Sequence, residues 1–86
     1  MAEGRGISAK CCRALLGVLC EAHPRALEAA TAAVYAAPGC GRQLPEDEAL
    51  RHLMHLEAKG FAERRADPFG AGETRWAATE AGRGLP

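Results

Sequence analysis

The sequence predicts a small α+β domain of three helices followed by a two-stranded β-hairpin. Three observations carry that expectation. A chain of 86 residues, 48% of them apolar, can fill one modest core and has no room for a second. Apolar residues recur at helical spacing in three segments before Gly60. Beyond Gly60 the pattern changes to two short runs separated by Asp67-Pro68-Phe69-Gly70-Ala71-Gly72-Glu73, a stretch rich in turn residues.

Residues 1–7 carry two glycines and little apolar content, so they read as a flexible lead-in, with the domain spanning 8–86. Ser8 is a natural N-cap, and Cys12, Leu15, Leu16 and Leu19 follow the i, i+3, i+4, i+7 rule for one buried stripe, which predicts a helix over 9–22. Pro24 suits the first turn of a second helix over 25–36. Leu27, Ala30, Ala33, Val34 and Ala37 form its inner face, and Pro38, Gly39 and Gly41 stop it. Pro45 restarts helix, and Glu46, Asp47 and Glu48 place three carboxylates at the positive end of the helix dipole. Ala49, Leu53 and Leu56, widened by Leu50 and Met54, form the inner stripe of this third helix over 46–59, with Gly60 as its terminating residue. The runs 61–66 and 74–79 are the strands of the hairpin. The expected core comprises Leu15, Leu16, Leu19, Leu27, Val34, Leu53, Leu56, Phe61 and Trp76.

Charge and cysteine usage exclude several functions. Lys+Arg and Asp+Glu both number 11, so no general electrostatic pull toward nucleic acid exists and any basic patch must be local. Cys11, Cys12, Cys20 and Cys40 lack paired C-x-x-C spacing, which argues against a disulfide framework, and Cys12 and Cys20, eight apart on the first helix, read as small core residues. His52 and His55 stand three apart without a third ligand at recognisable spacing, so neither a metal nor a cofactor is expected. No nucleophile set or phosphate loop is visible, which argues against an enzyme. The apolar run Ala14 to Cys20 stops at Glu21, far short of the ~20 residues of a membrane helix and poor as an export signal. The expectation is a cytoplasmic protein without membrane contact.

Two strings then acquire meaning from their order. Leu53-Met-His-Leu56-Glu57-Ala-Lys59-Gly60-Phe61 resembles the Leu-x-x-Leu-Glu-x-x-Gly-apolar segment joining the recognition helix to the wing in winged helix-turn-helix domains. Trp76-Ala-Ala-Thr79-Glu-Ala-Gly82-Arg83-Gly-Leu85 resembles the close of their second wing strand. The chain is similar to multiple-antibiotic-resistance-type regulators and to small winged-helix proteins of Mu-like prophages. That resemblance implies a winged helix-turn-helix fold and a bacterial or prophage transcription regulator that binds double-stranded DNA.

On that reading, Arg51, His52 and His55 face outward from the third helix as base readers, and Arg42, Arg64, Arg65 and Arg75 supply phosphate contacts. Arg64 and Arg65 point to opposite faces of their strand, so they are not equivalent ligands. A reader of this size would act as a homodimer. One feature runs against DNA: residues 46–59 hold Arg51 and Lys59 against Glu46, Asp47, Glu48 and Glu57, so the candidate reading helix is acidic. A winged-helix module that binds another protein instead of DNA is the alternative.

Overall fold

A computed structural model describes residues 6–66, 69 and 74–85. Helix α1 spans Ala9–Ala22 and strand β1 is Leu27–Glu28. Helices α2 (Ala29–Cys40) and α3 (Glu46–Ala58) follow, then strands β2 (Ala62–Arg65) and β3 (Arg75–Ala78) and a short helix α4 (Glu80–Arg83). The sheet is antiparallel with order β1-β3-β2, so β3 is its central strand. The described residues thus form an α+β fold of four helices and three strands, one more of each than the sequence predicts.

Helix α1 has the predicted bounds, with the Ser8 hydroxyl accepting the Cys11 N–H at 3.3 Å. Its stripe of Cys11, Leu15, Leu16 and Leu19 is buried, whereas Cys12 lies half-buried at the margin. Helix α3 ends as expected: Gly60 adopts φ +84°, the Gly60 N–H reaches the Glu57 carbonyl, and the Phe61 N–H reaches the Leu56 carbonyl, both at 2.9 Å. That is a Schellman termination, which favours glycine at the left-handed position.

The second helix is the main correction. Residues 25–28 are not helical, because Leu27 and Glu28 pair with Trp76 and Arg75 of β3 and so give their backbone groups to the sheet. Helix α2 therefore starts four residues later than predicted and runs through Pro38 to a left-handed Gly41 at φ +79°. Its buried face is Ala29, Ala32, Ala33, Ala36 and Cys40, while Val34 is 70% exposed. The physical cause is close approach: a Cβ built on Gly39 would lie 2.9 Å from the Ala14 Cβ, so the α1–α2 seam admits only the smallest side chains. Leu27 and Phe61, expected at the centre, pack half-buried against the core. The hairpin tip at 67–73 lies outside the described residues except for Phe69, which is exposed.

Cys11 and Cys40 are both buried between α1 and α2 and all four cysteines are free. Burial, helped by a hydrogen bond with Cys11, pushes the Cys40 thiol from 9.0 to about 11. The folded state thus holds that proton more tightly than the unfolded chain. Its contribution is complete below pH 9.0 and is lost as pH rises through about 11. Guanidinium unfolding between pH 8 and 11 should show a steeper alkaline loss of stability in the wild type than in Cys40→Ala.

Helix α4 closes the core. The Thr79 hydroxyl accepts the Gly82 N–H at 3.1 Å and donates to the Gly60 carbonyl at 2.7 Å, which brings Gly82 against the Phe61 carbonyl and Leu16. A Cβ on Gly82 would collide with the Phe61 carbonyl, a backbone atom with little room to move. Gly82→Ala should therefore destabilise by ~1–3 kcal/mol in denaturant titration. Gly17→Ala, in the interior of α1 with open space around its Cβ, should stabilise by ~0.5–1 kcal/mol.

Candidate functional site

Helix α3 and the hairpin that follows it carry six of the seven residues singled out by sequence, and Arg42 lies in the turn before α3. The buried arc of α3 is Ala49, His52, Leu53 and Leu56, an i, i+3, i+4, i+7 stripe that includes a histidine expected to face solvent. His52 is 1% exposed and is no base reader. Its Nδ1 lies 2.7 Å from the Glu48 carbonyl, and its Nε2 lies 3.0 Å from the Ser8 backbone nitrogen. Because the Ser8 N–H donates, Nε2 accepts, and the proton of a neutral ring sits on Nδ1 and goes to Glu48. These two bonds satisfy the buried ring, while Leu50 and Met54, off the Ala49/Leu53/Leu56 stripe, face outward at 39% and 47% exposure.

The outward line of α3 is then Asp47, Leu50, Arg51, Met54 and Ala58. Arg51 is exposed and forms no ion pair among the described residues. His55 is half-buried and turned toward α1.

Three of the remaining cations are held by the chain's own carboxylates. Arg42 Nη2 lies 2.8 Å from Glu48 Oε1, and its Nη1 donates to the Gln43 carbonyl. Arg64 grips Glu57 with two bonds, Nε to Oε2 at 3.0 Å and Nη2 to Oε1 at 2.8 Å, while its guanidinium sits 5.0 Å from the centre of the Trp76 ring. Hydrogen bonding to Arg64 holds the Glu57 carboxyl below its ordinary range and raises Arg64 in return. Arg65 binds Glu63 through Nε and Nη2 and donates from Nη1 to the Pro24 carbonyl. Strand alternation puts Arg64 on the Trp76 side of the sheet and Arg65 beside Arg75 on the other, where Glu28 and Glu63 lie as well. Arg75 is exposed and forms no ion pair among the described residues.

A second surface was not singled out from the sequence. An open groove of about 510 Å³ runs between the start of α1, the last turns of α3 and Leu85. Leu16, Leu56 and Phe61 form its floor, and Arg13 and Lys59 stand on its rim. The spacing of Arg51, His55 and Lys59 at i, i+4, i+8 was readable as one basic line, but the groove itself joins elements far apart in the chain. No group of three or more His, Cys, Asp or Glu placed to hold a metal occurs among the described residues. No helix among them is long and apolar enough to cross a membrane. Comparison with protein-family models, with curated proteins and with solved structures gives no match to this chain.

The placement of His52 is directly testable. His52→Ala removes a buried ring and strands the Ser8 N–H, so urea denaturation should show a loss of ~2–4 kcal/mol. A change under ~0.5 kcal/mol, the range of ordinary surface positions, would return His52 to the outer face.

Proposed function

We propose that the chain is a small winged-helix module that docks another protein through the side of the molecule bearing α3. The winged-helix reading is supported by the order of elements: α2, the turn 41–45 and α3 run directly into the β2–β3 hairpin. It is supported too by the Gly60 termination falling where the resemblance in sequence lies.

The docking reading rests on one observation above all. The outward line of α3 presents Leu50 and Met54 next to an acidic first turn of Glu46, Asp47 and Glu48, a surface suited to a protein and poor for a polyanion. The state of the arginines points the same way, since Arg42, Arg64 and Arg65 are engaged with carboxylates of the same chain. Exposed ion pairs are worth only ~0–1 kcal/mol each, so they weaken a phosphate-binding role without abolishing it. The competing reading, a dimeric reader of double-stranded DNA, is left with Arg51 for a base edge and Arg75 for phosphate.

Titration of a fluorescent random-sequence duplex at low and moderate salt separates the two. The docking reading expects no saturable binding as tight as the ~10⁻⁴–10⁻⁶ M of ordinary non-specific DNA binders. Saturable binding that weakens with log salt at a slope of about −0.9 per protomer, and is lost in Arg75→Glu, would establish the DNA reading instead.

A further inference from the structure

The groove between α1 and α3 is a better-defined feature than the outward line of α3. Its floor is apolar: Leu16 and Leu56 are 8% and 4% exposed at their inner edges, and Phe61 packs beside them. Its walls are Ile7 and Leu85, both exposed at 42% and 44%. An apolar trough bounded by large exposed hydrophobics on two sides marks a contact surface.

Charge decides what fits it. Arg13 and Lys59 stand on opposite helices at the rim, and neither forms an ion pair among the described residues, in contrast to Arg42, Arg64 and Arg65. Among the described residues, no aspartate or glutamate lines the groove. Ala9, the first residue of α1, also lines it, and the first turn of α1 carries no acidic side chain to offset the positive end of its dipole. Among the described residues, the unmatched charge around the apolar floor is therefore wholly positive. The occupant must combine apolar anchors with carboxylates.

We infer that the groove docks an acidic amphipathic segment of a partner protein, a helix or turn whose apolar side chains enter between Leu16, Leu56 and Phe61 while its Asp or Glu residues meet Arg13 and Lys59. The inference rests on the protein-docking reading above and names its surface and partner chemistry. The shape favours a segment over a small ligand. Small-molecule sites enclose ~70–90% of their ligand, whereas this groove is open to solvent, as the grooves of helix-in-groove recognition are. Rim charges of one sign select the partner's charge and speed its encounter, and the apolar floor supplies the holding energy.

The test is selection of a displayed library of random 16-residue peptides on the full chain, with enriched peptides synthesised, titrated by fluorescence anisotropy and mapped by backbone amide shifts. Enriched sequences should place apolar residues at i, i+3 or i, i+4 with Asp or Glu between them and shift the amides of Leu16, Leu56 and Phe61. The double charge reversal Arg13→Glu/Lys59→Glu, at exposed sites and checked for folding by circular dichroism, should weaken them at least tenfold. Absence of enrichment, enrichment of basic or neutral peptides, or indifference to the double reversal overturns the inference. Binding of decanoate at the groove more tightly than any selected peptide also overturns it, assigning the site to a free amphipathic carboxylate. Shifts confined to Leu50 and Met54 overturn the groove while keeping protein docking. Only duplex binding in the titration above removes that reading itself.

Discussion

The burial of Trp76 in the central strand is the constraint on which the rest of the fold depends. The indole is 1% exposed, and covering it draws on both neighbouring strands: Leu27 stands opposite on β1 and Arg64 opposite on β2. Burying so large an apolar side chain is worth ~1.5–3 kcal/mol, and a cation over its face adds ~0.5–1 kcal/mol at a partly exposed site. For β1 to provide that cover, residues 27 and 28 must be extended, which moves the start of α2 to Ala29. The small-residue face Ala29, Ala32, Ala33 and Ala36 then meets α1, and Val34 and Tyr35 are left in solvent. One ring on the last strand thus sets the boundary of a helix nearly fifty residues before it.

Arg64 shows how the same constraint reaches function. An arginine on the hairpin looks from the sequence like a phosphate ligand. Here it roofs Trp76 and is locked by two bonds to Glu57 at the end of α3, joining that helix to the hairpin. Moving it to a phosphate would uncover the ring and free the carboxylate. His52 has a comparable part in the middle of α3, where it accepts the Ser8 N–H and ties the start of α1 to the helix. Both residues are polar by composition and structural by placement.

The formal charge of zero is not evenly cancelled over the surface. Among the described residues, Arg42, Arg64 and Arg65 are paired with Glu48, Glu57 and Glu63, and Arg13, Arg51, Lys59 and Arg75 form no ion pair. Because exposed pairs contribute little stability, their larger effect is to decide where unmatched charge remains. Two of those cations, Arg13 and Lys59, stand beside the apolar groove, and that juxtaposition distinguishes this side of the molecule.

The sequence by itself determined whatever depends on neighbours along the chain. Ser8 as the cap of α1, the carboxylate-rich start of α3 and the left-handed Gly60 follow from contacts within a few residues, and the two strands of the hairpin from the turn-rich stretch between them. Tertiary structure decided what depends on partners far away. The β1–β3 pairing joins residues about fifty positions apart, so no local pattern around Pro24 announces it. In the alanine-rich α2 nearly every position is apolar, so periodicity cannot choose a face; the width of the α1 seam chooses it. The inward turn of His52 required a backbone donor forty-four residues away. The candidate site was legible only as an inventory of cations. Which of them stay free, and that two flank an apolar groove, depends on distances that only the packed chain contains.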